Sequence, residues 1–360
     1  MKKAVIAVLT VILAAVLALC VPAAVILAPV EETPYLTSTD SLSTCESASA
    51  EDAPYGTLDP LPTKITLSFI GDCMLATDRG GEYPGSFNHL AKQVPPSYFF
   101  EEFKELFSND DWTVANLENV FTDNPDAAVR NKNHSPAYWY KSTAANTAIL
   151  TEGSIEIVSL ANNHSEDYGN IGHIDTRAAL DEAGIIWGDN EKVLILEKEG
   201  YKIALYCVTY WYSGYERAII NEMNKVEADY KIVYFHGGTE RVHVPDPWKA
   251  EGARRMIDSG IDSVIGGHPH VLQPIEVYNG KTIVHSLGNF VFGGSRREEN
   301  RTIVYRLNLT FTEGELTGVS DEVIPCYVYT ELYKPGIIKD ADEIAAVMSF
   351  LAGESESPLG

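Results

Sequence analysis

The sequence predicts an α/β domain built on two mixed sheets. Three observations carry that expectation. Apolar, strand-like runs alternate with helix-like stretches through the first two thirds of the 360 residues. Hairpin patterns dominate the last third. Polar side chains of metal-ligating types follow directly on the apolar runs, where open α/β folds collect their ligands.

The chain opens with MKK and then AVIAVLTVILAAVLALCVPAAVILAPV, with no charge from Ala4 to Val30. As a helix that run is long enough for a bilayer core of roughly 30 Å. Lys2 and Lys3 then place the short end in the cytoplasm and the main domain outside the cell membrane. A cleaved signal peptide, giving a secreted protein, is the alternative. AAVILA offers small residues for it, although the apolar part of such a signal usually runs about 7–15 residues. Leu17-Ala18-Leu19-Cys20 makes a poor lipoprotein signal, because Leu19 is bulky before the cysteine.

Residues 31–61 are rich in Ser, Thr, Pro and acids, lack an apolar period, and predict a flexible linker. Residues 62–330 are expected to form the main domain, and residues 331–360 a C-terminal helix and tail. The domain opens with KITLSFIGD, which alternates and then turns fully apolar, as a buried strand does. SYFFEEFKELFS suggests one amphipathic helix with core aromatics. WTVANLE and IEIVSLANN suggest strands, with part of a helix in TAANTAIL between them. HIDTRAALDEAG suggests a helix ending at Gly184. VLILEKEGYKIALYCVTY suggests two strands around a Glu-Gly turn. YKIVYFHGG suggests a strand, WKAEGARRMIDSG a helix, and IDSVIGGHPH a strand with its exit loop. QPIEVYNGKTIVHSLGNFVF suggests a hairpin with an Asn-Gly turn. RTIVYRLNLTFTEGELTGVSDEVIP suggests another hairpin, and ADEIAAVMSFL a short helix.

Composition narrows the partners. The formal net charge is −24, which argues against nucleic acid. The same charge repels an anionic polymer unless metal ions or local basic groups mediate the contact. Five cysteines is an odd count, and no two share a short metal-type spacing. Cys73, Cys207 and Cys326 lie in apolar contexts and are expected to be plain core residues.

Five stretches set ligand-type side chains at strand ends. They are FIGDCM with Asp72, VANLEN with Asn116 and Glu118, SLANNHSEDYG with Asn162, Asn163, His164 and Asp167, VYFHGG with His236, and GGHPH with His268 and His270. One such residue is usually a cap or a turn residue. Five together predict a shared site, because strand ends in one sheet lie side by side. A carboxylate can bridge two cations, imidazoles suit borderline metals, and an Asn carbonyl is a neutral ligand. Pro269 restricts the His-Pro-His loop, and Gly266 and Gly267 allow close backbone approach. Two ions about 3.5–4 Å apart can neutralise a developing anion.

Taken in order, GDCML, NLENVFT, ANNHSEDYG, HGGTE, IGGHPHVLQPIE and HSLGNFVF resemble the CapA-type poly-γ-glutamate capsule synthesis proteins, a family related to the calcineurin-like metallophosphatases. The resemblance runs from about Lys64 to Pro325. It implies a four-layered α/β/β/α metallophosphatase-like sandwich, behind an N-terminal transmembrane helix. It also implies roles. Asp72, Glu118 and His270 would hold one divalent ion; Glu118, Asn163, His236 and His268 would hold a second, with Mn, Zn, Fe and Mg all open. His164 would donate a proton to the leaving group, oriented by Asp167. Asn116, Asn162 and Asn289 are the candidates for substrate binding. Phosphatases of the related class carry Asp-x-His where this chain has Asp72-Cys73-Met74, so one ligand of the first ion is missing.

The function so implied is membrane-anchored, extracytoplasmic action in biosynthesis or export of a poly-γ-glutamate capsule or a related envelope polymer. Its expected partners are that anionic polymer, membrane-embedded synthase or export components, and the lipid bilayer. Two alternatives remain at this stage: a metal-dependent phosphoesterase or amide hydrolase of the envelope, and a non-catalytic polymer-binding scaffold.

Overall fold

The computed structural model describes residues 61–133, 135–294 and 300–359. The expected anchor and linker therefore lie outside the described residues. Among the described residues no helix is long and apolar enough to cross a membrane.

Among the described residues seventeen strands form three sheets. In chain order they are β1 (Thr63–Met74), β2 (Thr77–Asp78), β3 (Trp112–Leu117), β4 (Val120–Phe121), β5 (Tyr140–Ser142), β6 (Ile157–Ser159), β7 (Ile186–Gly188), β8 (Leu194–Lys198) and β9 (Tyr201–Thr209). Then come β10 (Tyr230–His236), β11 (Ser263–Gly267), β12 (Ile275–Tyr278), β13 (Lys281–Val284), β14 (Asn289–Phe292), β15 (Thr302–Thr312), β16 (Glu315–Glu331) and β17 (Lys334–Ile337). The first sheet runs β17-β16-β15-β1-β3-β6-β7, with β14 also paired to β1. The second runs β12-β13-β11-β10-β9-β8, and β2-β5-β4 make a small third sheet. The middle of each large sheet is parallel, while β15 to β17, β8 and β12 add antiparallel edges.

Alternation along the strands explains the layering. In β9 Leu205 and Cys207 join one apolar cluster, while Ala204, Tyr206 and Val208 join another. In β10 Ile232 and Tyr234 take the first side, Val233 and Phe235 the second. The first cluster also holds Ile65, Leu67 and Phe69 of β1 and Ile303, Tyr305 and Leu307 of β15, so it is a core between the two large sheets. The outer face of the second sheet is covered by helices Glu216–Met223 and Pro247–Asp258, through Ile219, Met223, Ala253 and Met256. The outer face of the first sheet packs under helices Phe87–Ala91, Lys104–Ser108, Thr147–Glu152 and Gly169–Glu182. Strands buried on both faces account for the continuous apolar runs. Each large fully buried side chain contributes roughly 1.5–3 kcal/mol. The Tyr234 hydroxyl donates to Ile70 O at 2.8 Å, and thereby spans from the second sheet to the first.

Turn chemistry holds where the sequence signals it. Glu199-Gly200, Asn279-Gly280 and Glu313-Gly314 all have positive φ at both positions, as a two-residue turn between twisted strands requires. Gly184 follows helix Gly169–Glu182 at φ 73. Asp340 caps helix Ala341–Leu351 by accepting from the N–H groups of Asp342 and Glu343, both at 3.0 Å. Cys73, Cys207 and Cys326 are buried and free.

Three expectations change. SYFFEEFKELFS is not one helix but a 3-10 turn, Pro96–Phe100, followed by the short helix Lys104–Ser108. The break lets Phe99 stack on Phe87 at 4.8 Å while Phe103 meets Phe290 at 4.9 Å, so the rings face different neighbours. QPIEVYNGKTIVHSLGNFVF is not all one hairpin. It pairs as β12 and β13, then crosses to the first sheet, where β14 lies parallel to β1. The main domain also does not stop at residue 330. β16 runs to Glu331, and Val347, Phe350 and Leu351 of the last helix pack into the inter-sheet core.

Candidate metal centre

Parallel strands end on the same edge, and the ends of both sheets carry the expected residues to one place. Asp72 stands near the end of β1, Glu118 just after β3, and His236 ends β10. His268 and His270 follow β11, and Asn289 opens β14. Asp72 pairs with Asn116 in β3 and with Asn289 in β14. The geometry groups Asp72, Glu118 and His270, and separately Glu118, His236 and His268. Within each group one ligand atom from every residue lies within 4.8 Å of the others. Asn163 Oδ1 sits 2.8 Å from His236 Nε2, the atom that also faces His268 Nδ1 at 3.0 Å.

Close backbone approach makes this convergence possible. Asp72 N donates to Gly288 O at 2.9 Å beside Gly71, where a Cβ would stand 1.9 Å from that oxygen. His268 N donates to Asp72 Oδ2 at 3.1 Å. His268 and His270 adopt φ values of 93° and 59° around Pro269, conformations that non-glycine residues rarely take. Such strain costs of order 1–3 kcal/mol per residue and persists only where surrounding contacts hold it. Here it aims two imidazoles inward.

The electrostatics of the cluster suit a bound cation. Both oxygens of Glu118 are buried, and neither has a hydrogen-bond partner. Oε1 instead faces His236 Nε2 at 3.5 Å, His164 Nε2 at 3.9 Å and His270 Nε2 at 4.0 Å. A buried carboxylate without a hydrogen bond is expensive, and a cation among these side chains would offset that cost. Burial opposes ionisation of Asp72, but hydrogen bonds from His236 and His270 outweigh it and hold the carboxyl well below the usual range. Burial likewise opposes protonated His236 and His270, yet the Glu118 and Asp72 carboxylates push both up to about 9. His268 goes the other way, because burial and then the charges of His236 and His270 keep it neutral. Three imidazoles and two carboxylates, one of them bare, fit a divalent ion of the borderline class. Binding would displace the protons that His236 and His270 otherwise hold.

His164 lies at the edge of this group. Its Nδ1 meets Asp167 Oδ2 at 2.7 Å, while Asp167 also accepts from Tyr140 N at 2.8 Å and pairs with Lys132 at 2.5 Å. The pairing fixes the ring so that Nε2 points toward Glu118. Asn116 and Asn162, expected to meet substrate, are buried with their amides taken up by neighbours. Asn116 Nδ2 donates to Asp72 Oδ1 at 2.8 Å, and Asn162 Nδ2 donates to Asn116 Oδ1 at 2.9 Å. Asn162 Oδ1 accepts from His164 N at 2.9 Å. Asn289 Oδ1 stands 2.9 Å from His270 Nδ1 and orients that ring. Met74, in the place of the missing histidine, is packed in an apolar cluster with Phe292.

The structure adds residues that sequence reasoning missed. A cavity of ≈610 Å³ beside His164 and Asn163 is lined by Arg130, Lys132, Arg241 and Glu240. Three cations there stand out on a chain of net charge −24. Trp211 sets its ring edge-on to His268 at 4.9 Å. Lys249 is fully buried behind the centre, donating to Gln273 Oε1 at 2.7 Å, and its burial lowers it to about 7. Glu240 carried a signal, four residues after His236 in the same exit loop. Arg130 and Lys132 carried none, because their segment reaches the site through a long irregular excursion between β4 and β5.

A four-layered α/β sandwich with a buried imidazole–carboxylate cluster at its strand ends defines a protein with a candidate divalent-metal centre. Residues 66–294 match the family described as bacterial capsule synthesis protein PGA_cap, and the chain belongs to that family. It is 30% identical over 274 residues to the PGA biosynthesis protein CapA of Bacillus subtilis (strain 168), covering 68% of each chain. It is 26% identical over 313 residues to the capsule biosynthesis protein CapA of Bacillus anthracis, covering 75% of this chain and 73% of that one. Among solved structures it is similar to a phosphatase of Mycoplasma pneumoniae at 12% identity and a TM-score of 0.46, covering 74% of this chain and 95% of that one.

Proposed function

We propose that this protein acts in the biosynthesis or export of a poly-γ-glutamate capsule, or a related envelope polymer, through a divalent-metal centre on the outer side of the membrane. Membership of the capsule synthesis family and the names of its Bacillus relatives support the pathway. The observation that carries the metal centre is Glu118, buried and bare among three imidazoles. Asp72, Glu118 and His270 would hold one ion, and Glu118, Asn163, His236 and His268 a second. When bound, a divalent ion supplies Lewis acidity and neutralises negative charge at the reacting group.

The chain's own residues supply the rest. His164, locked through Nδ1 by Asp167, holds a proton at Nε2 for a leaving group. Asn289 steadies His270, and Asn116 and Asn162 support Asp72 and His164. Arg130, Lys132 and Arg241 face the cavity where carboxylates of an acidic chain would lie. The hydrolase reading is favoured over a pure scaffold by the His164–Asp167 pair, which a binding surface does not need. The test is incubation of the purified full chain with γ-linked polyglutamate and a divalent metal. Wild type should bind and shorten the polymer, and His164→Ala should keep binding while losing at least about 100-fold in turnover. Equal binding with no cleavage by either protein would leave the scaffold. No binding at all would sink the capsule reading.

Residues 1–30 are proposed to anchor the protein, with residues 31–61 as spacer to the domain. The full chain should sediment with membranes and become soluble when residues 1–30 are removed. Recovery of a soluble, N-terminally shortened chain from the native gene would establish a cleaved signal instead.

A further inference from the structure

Asp72, Glu118 and His270 give one ion only three protein ligands, whereas borderline divalent metals take four or more. One further carboxylate stands close by. Glu240 Oε and one ring nitrogen each of His268 and His270 lie within 4.8 Å of one another. The loop after β10 that carries Glu240 is pinned to the site. Thr239 donates through N and Oγ1 to the Asp246 carboxylate, both at 2.8 Å. Arg241 N donates to Pro269 O at 2.8 Å, tying the loop to the His-Pro-His turn itself. Glu240 pairs only loosely with Arg241, at 3.9 Å, so its carboxylate is not committed elsewhere.

Glu240 differs from the other two carboxylates in exposure. The side chains of Asp72 and Glu118 are wholly buried, while that of Glu240 is 47% exposed in the lining of the cavity beside His164. A buried carboxylate that leaves an ion has no water to turn to. An exposed one can rotate into water at little expense.

We propose that Glu240 is an exchangeable metal ligand, which joins His268 and His270 on the solvent side of the centre and withdraws when an anionic ligand arrives. The proposal rests on the metal-centre reading above. It adds Glu240 to His268 and His270 on the open side of the centre, and gives Arg130, Lys132 and Arg241 beside it the task of drawing in the anion that replaces it.

The test titrates Mn²⁺ into the purified full chain, wild type and Glu240→Gln, with free Mn²⁺ followed by electron paramagnetic resonance. Glu240→Gln should weaken one Mn²⁺ site by about 10-fold or more, the scale on which even outer-shell partners act. Saturating inorganic phosphate should erase that difference, because it displaces the carboxylate in wild type. Equal affinity and number of sites in the two proteins would overturn the proposal while leaving the metal centre intact. A difference that survives phosphate would overturn the exchange. Failure of wild type to take up any Mn²⁺, Zn²⁺, Fe²⁺ or Mg²⁺ would overturn the metal-centre reading, and this proposal with it.

Discussion

The His268→Ala/His270→Ala double variant is expected to lose its divalent metal by more than about 1000-fold in affinity, set against the roughly 10–100-fold that one outer-shell partner is worth. The two rings serve both ligand groups, so removing them leaves Asp72 with Glu118 in one and Glu118 with His236 in the other. The fold should survive, because these rings sit at the strand ends rather than within the apolar clusters. The backbone strain at φ 93° and 59° also remains in the alanine variant. A His268→Gly/His270→Gly variant should therefore be the more stable of the two, by roughly 1 kcal/mol or more. Metal content per chain, measured beside thermal unfolding, checks both statements. Full metal content in the double variant would place the ions elsewhere.

Gly71→Ala should be as damaging as the loss of a ligand, although Gly71 touches no metal. Its Cβ would stand 1.9 Å from Gly288 O and 2.8 Å from Gly288 C. Both are backbone atoms, so no side chain can turn aside. β14 must move away from β1, which breaks the 2.9 Å bond from Asp72 N to Gly288 O. It also shifts Asp72 and Asn289, the two residues that hold His270. The expected loss is about 3 kcal/mol or more, seen as a fall in Tm of roughly 10 °C. Metal affinity should fall with it. A variant with wild-type Tm and full metal content would show that the two strands can part without disturbing the centre.

Much of the fold is legible in local pattern. KITLSFIGD and YKIVYFHGG are strands because their runs are apolar on both faces, and both faces are covered. Glu199-Gly200 and Asn279-Gly280 turn where they do because glycine accepts the positive φ of a tight hairpin. Where the sequence pattern misleads, a distant partner decides. HSLGNFVF continues the apolar rhythm of its hairpin, and nothing in that rhythm says that β14 will leave for β1. The aromatics of SYFFEEFKELFS carry a helical period that yields to the demands of Phe87 and Phe290. The last helix joins the core because Val347, Phe350 and Leu351 close the space between the sheets.

The same division runs through the site. Sequence alone determined which chemical types stand at strand ends, and their order. It thereby determined that carboxylates and imidazoles would meet wherever those ends converge. Motif spacing named Asp72, Glu118, His236, His268 and His270, because each directly follows or ends its apolar run. Only the tertiary structure decided that Glu118 would be left bare, that Asn116 and Asn162 would serve their neighbours, and that Glu240, Lys132 and Arg130 would line the approach. The physical reason is range. Strand periodicity and turn chemistry act over a few residues and are written locally. Burial, the pairing of buried charges, and the closeness of Gly71 to Gly288 depend on segments far apart in the sequence, which meet only when distant strands pair within a sheet and the two sheets pack face to face.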